Sequence, residues 1–236
     1  MKTRAVLIES FDDTPHLASR EVPQPGDDQV LIRVHAASVT AFDWKAAEGR
    51  FKDNFEYEFP VTLGRDYAGV VERAGAGVDG FWPGDAVVGY TTGRRLGRGA
   101  FAELIVTNEA DCFVGKPDEL SFVEAACLPL CGMVAYRCVD AVDPKPGEQH
   151  LVLGAPGGVG SYAVQLLKGH GARVIATGLP EDEDYLLDLG ADEVIDYRDG
   201  VSYPEPLDGL LDLVSYKPAF LEHLGLLRPG GRAASL

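Results

Sequence analysis

The fold of this chain is decided by one stretch, QHLVLGAPGGVGSYAVQLLKGHGARVIATG, which spans residues 149–178. Residues 151–153 form a short apolar run of the kind that a buried parallel strand needs. Residues 161–168 place apolar side chains at helical spacing, and residues 173–176 form a second, β-branched strand. Between the first strand and the helix lie three evenly spaced glycines: Gly154, Gly157 and Gly160. The stretch therefore predicts a strand, a glycine turn, a helix and a second strand.

This order of elements suits the binding of a dinucleotide. A pyrophosphate needs backbone N–H groups and the positive end of a helix dipole close by, and side chains at the turn would block its approach. We expect Gly157 to allow the tight turn and Gly160 to let the helix pack closely on the strand. A glycine-rich loop without a ligand is the alternative, but the complete strand–turn–helix–strand order favours dinucleotide binding. The turn residues assigned to the cofactor are Gly154, Gly157, Gly158, Val159 and Gly160.

Length and composition limit the class of protein. The 236 residues suit one large domain or two small ones, and 46% hydrophobic residues allow a core and argue against disorder. Acidic residues outnumber basic ones 37 to 21, and the net charge of −16 argues against nucleic acid or an anionic membrane as a partner. The chain has neither a long apolar run nor an N-terminal signal core. We expect a cytoplasmic protein that acts on a small molecule.

The cysteines and histidines form no recognisable reactive centre. The cysteines match neither paired metal-binding motifs nor a secreted disulfide framework, so we expect buried thiols. No histidine lies in a nucleophile motif with Ser or Cys, so we expect surface or strand histidines. The residues are Cys112, Cys127, Cys131, Cys138, His16, His35, His150, His170 and His223.

A second set of motifs occupies the first half of the chain. Strands are predicted at 4–8 and 30–37, separated by the turn-rich residues 23–28. The segment FPVTLGRDYAGVVE at 59–72, followed by GDAV at 84–87, resembles the catalytic-domain signature of the medium-chain dehydrogenase/reductase family. In that family the domain is GroES-like, and its glycines make the turns and bulges of a small bent barrel.

The resemblance extends to the C-terminal half and is closest to the zinc-free quinone oxidoreductase (zeta-crystallin-like) branch. The segment LGADEVIDYR at 189–198 resembles the family motif that carries the third strand. A fourth strand is expected at 210–214, a helix at 220–227, and a fifth strand after residues 229–231 that ends at Leu236.

The resemblance implies an α/β protein with a β-rich domain. A GroES-like bent barrel is expected at residues 1–120, and a Rossmann-type doubly wound parallel sheet at 121–236 with strand order 3-2-1-4-5. Family members continue with a further helix and a sixth strand. We therefore expect a C-terminally truncated chain with the sixth strand missing and an open sheet edge. The full-length form is expected to be a homodimer, and this chain a monomer.

The resemblance also bears on metal binding. Zinc-containing members place a His–Glu pair after the glycine at the position of Gly64, where this chain has Arg65 and Asp66. Arginine cannot lose a proton to bind a metal, and the loop 38–45 contains no cysteine. We expect no metal. Arg65 and Asp66 are interpreted as an ion pair or as loop hydrogen bonds, with polarisation of the substrate by Arg65 as the alternative.

The choice between NAD and NADP is read at the end of the second strand. Thr177 and Gly178 stand there, where an NAD enzyme has Asp or Glu, and no Lys or Arg occurs within 174–197. The acidic run 181–184 is expected to complement a helix dipole, and it would repel a 2′-phosphate.

Two further positions come from the family alone. Tyr197, followed by Arg198, matches family positions near the adenosine end, and the Tyr197 hydroxyl is suited to bond a 2′-phosphate. Val134 stands where the family often has a Thr close to the nicotinamide. On the family branch, NADP(H) is favoured over NAD(H).

Two functions of different class follow. The first is NADPH-dependent reduction of a quinone or an α,β-unsaturated carbonyl by hydride transfer, because a conjugated acceptor delocalises charge onto oxygen without a metal. The residues assigned to the acceptor are Thr40, Asp43 and Tyr57, with Arg65 behind them, and solvent is expected to supply the proton. The second is a non-catalytic dinucleotide-binding protein or an inactive fragment of the family.

Overall fold

The computed structural model describes residues 2–11, 13–22, 24–108, 113–198 and 201–236. The chain divides into two compact units, an N-terminal unit of Met1–Leu130 and a C-terminal unit of Cys131–Leu236. Each unit has its own sheets and its own core, and each is described separately below. Cys112 lies outside the described residues.

The N-terminal unit consists mainly of short strands. In chain order its elements are β1 (Lys2–Ile8), β2 (His16–Glu21), β3 (Gln29–Ala36), α1 (Ala41–Ala47), β4 (Glu56–Tyr57), β5 (Val61–Thr62), β6 (Asp66–Ala74), β7 (Ala86–Tyr90), β8 (Arg95–Leu96), β9 (Leu104–Asn108), β10 (Phe113–Gly115) and α2 (Phe122–Ala126).

Antiparallel pairing organises most of this unit. Five strands pair in the order β10-β7-β6-β3-β9, three pair as β2-β1-β5, and β4 forms a parallel pair with β8. A glycine permits the bend between β3 and β6, because a Cβ at Gly69 would lie 2.2 Å from the carbonyl oxygen of Arg33. The ladder shifts register beside it, between Val34 and Ala36, as in a β-bulge. The expected GroES-like bent barrel is confirmed.

Helix α2 belongs to the N-terminal unit, although the sequence placed residues 121–130 in the second domain. Its buried residues Ala125 and Ala126 pack against Ala68 of β6 and Val88 of β7. Ser121 caps the helix, since its hydroxyl accepts a hydrogen bond from the Glu124 backbone N–H at 3.2 Å. The compact unit therefore extends ten residues past the boundary expected from the sequence.

The C-terminal unit alternates helices and strands. Its elements are α3 (Pro129–Val142, which begins two residues before the boundary), β11 (Gln149–Leu153), α4 (Gly158–Gly169), β12 (Arg173–Gly178), α5 (Glu183–Asp188), β13 (Glu193–Asp196), β14 (Leu207–Asp212), α6 (Lys217–His223) and β15 (Leu227–Ser235). Short 3-10 turns at Pro180–Asp182 and Leu224–Leu226 precede α5 and β15.

All five strands of this unit are parallel, in the order β13-β12-β11-β14-β15. In chain order this is 3-2-1-4-5, so the expected Rossmann-type sheet is confirmed. One core contains Val152, Val174 and Leu211 with helices α3, α4 and α5. A second contains Leu151 and Leu210. Since neighbouring residues of β11 belong to different cores, both faces of the sheet are covered.

Several local predictions need correction. Helix α4 begins at Gly158 rather than at residue 161, and α6 covers 217–223 rather than 220–227. Strand β15 already begins at Leu227, before the Pro-Gly-Gly stretch. The expectation of buried thiols holds for Cys138, whereas Cys127 is exposed. No helix in the described ranges is long and apolar enough to cross a bilayer.

Candidate active site

The glycine turn between β11 and α4 is built differently from the sequence prediction. Gly154 carries the left-handed backbone, with φ of +82°, and a Cβ there would lie 2.4 Å from Cγ1 of Val214. Gly157 is extended, with φ of −72°, and is the N-cap of α4. Gly154, not Gly157, therefore allows the tight turn, because only Gly154 has a conformation that other residues resist.

Gly160 holds the turn against the helix. A Cβ at this position would lie 2.2 Å from the Gly154 carbonyl oxygen and 2.6 Å from the Cα of Ala155. Both are backbone atoms, which cannot turn aside as a flexible side chain would. Glycine at position 160 is therefore required for the close approach of α4 to the turn, the role that its spacing indicated.

The first turn of α4 is suited to bind an anion. The initial N–H groups of a helix, here those of Gly158, Val159 and Gly160, have no partner within the helix. Gly157 has no side chain with which to cap them, and a Cβ on it would meet only the Gly154 carbonyl oxygen, at 3.3 Å. The space beside Gly157 is thus open, and the helix dipole favours negative charge there. These residues fit a pyrophosphate.

Thr177, at the end of β12, supports the turn from behind. Its hydroxyl accepts a hydrogen bond from the Gly154 N–H at 3.1 Å and donates one to the Val152 carbonyl at 3.3 Å. The residue is 2% exposed. We therefore expect Thr177 to position the turn rather than to contact the ribose. Gly178, which follows it, is also buried, because a Cβ there would lie 2.7 Å from Leu186.

Strands β12 and β13 end side by side, where the adenosine half of a dinucleotide cofactor is expected to bind. Gly178 of β12 is aligned with Asp196 of β13. The Arg198 guanidinium donates from Nε to both carboxylate oxygens of Asp196, at 2.9 and 3.0 Å. Glu181 raises the pKa of Arg198, but less than Asp196 does. Tyr197, between them, is 50% exposed. A positively charged guanidinium and a phenol hydroxyl are therefore present at this edge of the sheet.

Val134 lies on α3. It is partly buried against the core of the C-terminal unit. It also lines an open groove of about 710 Å³ between α3 and the end of β15. Val159 of the glycine turn packs against the same core, and Cys131, one helical turn before Val134, is so close to Gly158 that an added Cβ there would lie 2.9 Å from its Sγ.

In the N-terminal unit, Thr40 and Asp43 form one hydrogen-bonded group at the start of α1. The Thr40 N–H and hydroxyl both donate to Oδ2 of Asp43, at 2.7 and 2.9 Å. Asp43 is 4% exposed, and its Oδ1 has no hydrogen-bond partner. Burial raises the pKa of the Asp43 carboxyl, against the opposing effect of Thr40 and of the Arg65 charge. One carboxylate oxygen thus remains available to a ligand.

Arg65 and Asp43 line the same small cavity, of about 30 Å³. The Arg65 guanidinium lies 4.7 Å from the ring centre of Phe42 and 5.7 Å from that of Phe55, as in cation–π contacts. Its Nε is buried and has no hydrogen-bond partner. Burial lowers the pKa of Arg65, and nearby acidic groups oppose that shift. An unpaired donor and an unpaired acceptor therefore border one cavity.

Asp66 is buried beside them but makes loop hydrogen bonds. Its Oδ2 accepts from the Ser38 hydroxyl at 2.9 Å, and its Oδ1 accepts from the Leu130 N–H at 3.1 Å. Burial raises the pKa of the Asp66 carboxyl to about 6. Of the two structural roles considered for Arg65 and Asp66, loop hydrogen bonds are found for the Asp66 side chain. No ion pair between them is found among the described residues.

Tyr57 is separate from the Asp43–Arg65 cavity. Its hydroxyl donates to the Ala46 carbonyl of α1 at 3.1 Å, and its ring packs edge-on to Phe11, with 4.7 Å between ring centres. Burial raises the pKa of the Tyr57 hydroxyl. The structure therefore brings together Thr40, Asp43 and Arg65 and leaves Tyr57 in the neighbouring aromatic cluster.

The sequence analysis overlooked a buried carboxylate at the end of β14. Asp212 is 1% exposed, and its Oδ2 lies 2.8 Å from Nδ1 of His223. An aspartate that ends an apolar strand at the carboxyl edge of a parallel sheet was the available signal. His223, expected at the surface or in a strand, is instead the last residue of α6 and pairs with this carboxylate.

Metal binding has no obvious set of ligands in the described ranges. No group of three or more His, Cys, Asp or Glu residues there is arranged to hold an ion. Asp43 and Asp66 face a guanidinium, and a fixed positive charge repels a cation.

The barrel and the parallel sheet with its glycine turn are the two domains of an alcohol dehydrogenase-type fold. The family model for the alcohol dehydrogenase GroES-like domain matches residues 26–118, and that for the zinc-binding dehydrogenase matches residues 158–236. The chain belongs to the medium-chain dehydrogenase/reductase superfamily, in the quinone oxidoreductase branch.

Three relatives show how close the similarity is. The chloroplastic quinone-oxidoreductase homolog of Spinacia oleracea is 36% identical over 204 residues, which cover 82% of this chain and 60% of that protein. The 2-methylene-furan-3-one reductase of Solanum lycopersicum is 37% identical over 201 residues, covering 82% and 51%. The quinone oxidoreductase structure from Pseudomonas syringae pv. Tomato DC3000 matches with a TM-score of 0.87 and 31% identity, covering 99% and 73%. The chain thus spans about 60% of the spinach protein's length.

Proposed function

We propose that this protein binds NADP(H) and reduces a quinone or an α,β-unsaturated carbonyl. The observation that carries the proposal is the first turn of α4, whose free N–H groups face open space beside Gly157. When bound, the nicotinamide cofactor would supply the hydride. Relatives named as a quinone-oxidoreductase homolog and a 2-methylene-furan-3-one reductase support the acceptor class.

The C-terminal unit would hold the cofactor mainly through its backbone. The N–H groups of Gly158, Val159 and Gly160 would bind the pyrophosphate, and Gly154 and Gly157 would leave space for it. Thr177 would keep Gly154 in place. Because the chain is strongly acidic, with a net charge of −16, these local dipoles have to offset a repulsive overall field.

The N-terminal unit would bind the oxygen of the acceptor. Arg65 offers a buried donor at Nε, and Thr40 fixes Asp43 beside it. A cavity of about 30 Å³ holds one or two waters or a single projecting oxygen, but not a ring. A carbonyl oxygen that accepts from Arg65 would be stabilised as negative charge develops on it. The second role weighed for Arg65, polarisation of the substrate, is therefore the one we propose.

The preference for NADP over NAD rests on the edge formed by β12 and β13. Arg198 lies there on Asp196, and Tyr197 is exposed beside it. The guanidinium and phenol offer donors to a 2′-phosphate, whereas a ribose-binding Asp or Glu is lacking at 177–178. Glu181 acts against this preference through its charge.

Three further parts of the proposal concern metal, assembly and location. Catalysis without zinc is supported by Arg65 standing where a ligand would be needed. Homodimerisation and a cytoplasmic location remain predictions. The name of the spinach relative includes the word chloroplastic, which does not favour the cytoplasm.

A non-catalytic dinucleotide-binding protein is the second candidate. It is favoured by the Tyr57 hydroxyl, which is bonded to the Ala46 carbonyl and so is not directed at an acceptor. Under this alternative the glycine turn would still bind NADPH, but no acceptor would be reduced.

Two measurements separate the candidates. NADPH binding is followed by titration calorimetry, and NADPH oxidation by absorbance with a quinone and with an enone. Binding with oxidation supports the enzyme, whereas binding without oxidation of any acceptor supports the alternative. No binding of NADPH or NADH would contradict both. Gly157→Val serves as the binding-deficient control, because its side chain would fill the space assigned to the pyrophosphate.

A further inference from the structure

A carboxylate–imidazole pair stands at the carboxyl end of β14. Asp212, the last residue of the strand, is 1% exposed, and His223 on α6 approaches it with Nδ1 2.8 Å from Oδ2. The His223 side chain is 24% exposed. The pair therefore connects a buried charge to a ring that is still partly accessible.

The location of this pair coincides with the reversal of strand order. Strands β12 and β13 lie on one side of β11, and β14 and β15 on the other. Asp212 is aligned with Leu153, the residue immediately before Gly154. Val214, two residues after Asp212, packs against Gly154 itself. In open α/β sheets, ligands bind outside the carboxyl ends of the strands at this reversal. Asp212 and His223 thus stand one strand away from the glycine turn.

The hydrogen bonds of Asp212 determine which nitrogen of the His223 ring carries the proton. Its Oδ1 accepts from the N–H groups of Ser215 at 2.9 Å and Val214 at 3.3 Å. Burial by itself would raise the pKa of Asp212, but these bonds and His223 outweigh it and hold the pKa below its usual value. An ionised carboxylate only accepts, so Nδ1 of His223 carries the proton. In the neutral ring, Nε2 is then an acceptor, and no hydrogen bond to it is found in the part of the chain that the structure describes.

We infer that His223 contacts the cofactor, accepting at Nε2 a hydrogen bond from the nicotinamide riboside half, and that Asp212 is the positioning residue that orients its ring. The donors of that half are the ribose hydroxyls and the carboxamide N–H. This inference rests on the proposed function, because it assumes a nicotinamide dinucleotide at the glycine turn. It adds a side-chain contact to a site otherwise built from backbone groups.

A purely structural role, in which the pair only ties α6 to the sheet, makes a different prediction. NADPH carries the nicotinamide riboside half, whereas 2′,5′-ADP lacks it but shares the adenosine phosphates. If His223 contacts that half, His223→Phe should weaken NADPH binding about tenfold, which is ~1.4 kcal/mol, and change 2′,5′-ADP binding less than about twofold. A structural role would lower thermal stability and leave the ratio of the two affinities unchanged.

Two variants serve as controls. His223→Gln should restore most of the NADPH affinity, because its amide can donate to Asp212 while its carbonyl accepts from the ligand. His170→Phe changes an exposed histidine at the end of α4 and should leave both affinities as in the wild type. If the wild type prefers NADH, the same comparison is made with NADH and ADP.

A measurement on the wild-type protein tests the inference even if the His223→Phe variant does not fold. In protein labelled with ¹⁵N-histidine, NADPH should shift the Nε2 resonance of His223, assigned with His223→Gln, and 2′,5′-ADP should not. An Nε2 resonance that is unmoved by NADPH, or moved equally by 2′,5′-ADP, overturns the inference. So does unchanged NADPH binding in a folded Phe variant. Wild-type protein that binds neither NADPH nor NADH instead removes the proposed function, and the inference with it.

Discussion

The Thr177 hydroxyl at the end of β12 accepts a hydrogen bond from the Gly154 N–H, at 3.1 Å, across 23 residues of sequence. Since Gly154 holds the left-handed conformation of the turn, this bond fixes the turn before any ligand arrives. Thr177→Val should remove the bond at nearly constant volume. We expect a loss of roughly 1–2 kcal/mol in the free energy of unfolding and weaker NADPH binding. Urea titration and calorimetry measure the two effects.

Thr177→Ser is the matched control for this prediction. It keeps the hydroxyl that bonds Gly154 and should retain NADPH affinity. Equal NADPH affinities of the Val, Ser and wild-type proteins would show that the bond does not support the cofactor site.

Glycines of α4 should differ in their response to substitution. Gly160→Ala should destabilise the fold by about 1–3 kcal/mol, because its Cβ would meet the Gly154 carbonyl oxygen. Gly157→Val should fold but lose NADPH binding, since no side chain obstructs a Cβ there. Gly169→Ala, in open space at the end of the same helix, should be neutral or stabilising by up to about 1 kcal/mol. Thermal melts and NADPH titrations of all three variants test this order, and a Gly157→Val protein that binds like the wild type would refute it.

Asp66 should make the N-terminal unit less stable as pH rises. Its pKa of about 6 in the folded protein exceeds the ordinary 3.8, so the native state binds this proton more tightly than the unfolded chain does. Its contribution is therefore most favourable below pH 3.8 and is lost as pH rises through 6, by about 3 kcal/mol in total. Asp66→Asn should remove this pH dependence. The free energy of unfolding of the variant, compared with that of the wild type, should therefore be more favourable at pH 7.5 than at pH 4.5.

Both tryptophans, Trp44 and Trp82, lie in the N-terminal unit and report on its unfolding. Their fluorescence in urea titrations at the two pH values measures the difference between wild type and Asp66→Asn. A difference that does not change with pH would mean that Asp66 titrates normally.

Removal of metal should have no effect on the protein. After treatment with EDTA, NADPH binding, melting temperature and any turnover should be unchanged, because no described set of side chains forms a metal site. Elemental analysis should find well under one zinc per chain. Stoichiometric zinc that EDTA removes with loss of activity would overturn the proposed role of Arg65.

The charge at Glu181 should influence the choice of cofactor. Glu181→Lys should tighten NADPH binding more than NADH binding, because it replaces a repulsive charge near Arg198 with an attractive one. Asp182 is left intact here, since its carboxylate accepts the Leu179 N–H at 2.9 Å and shapes the turn. Asp188→Lys, at the far end of α5, makes the same change of charge as a control. Equal effects on the two cofactors would place Glu181 away from the 2′ position.

The strands and the helix around the glycine turn were predictable because the motif is local, whereas the strand order 3-2-1-4-5 followed from the family resemblance. Each βα unit carries its own glycines and apolar run, so residues 149–178 define two strands and a helix without help from the rest of the chain. The spacing of glycines could not show which one adopts a positive φ, since Gly154 and Gly157 look alike in sequence. Strand β2 was missed because its own pattern is weak and its pairing partner, β1, decides its conformation.

From the residues alone, the candidate site was predictable only where one segment forms it, and Arg65 was added to it on the family resemblance. Thr40 and Asp43 are three residues apart and meet at a helix start. Asp43 and Arg65 come from α1 and from the residue before β6, and only folding makes them share a cavity. The same holds for Asp212 and His223, which are joined by the geometry of the loop between β14 and α6.

The position of Arg65 over Phe42 gives the cavity that it lines a permanent positive charge. A bound metal ion can be exchanged or removed by a chelator, and it is lost when the metal is scarce. The Arg65 guanidinium is covalently attached to the chain and remains charged at every physiological pH. Its guanidinium lies against the ring faces of Phe42 and Phe55, and among the described residues no carboxylate forms an ion pair with it. The positive electrostatic potential of the cavity would thus be set by the amino-acid sequence and the fold, and it would not depend on the supply of a metal.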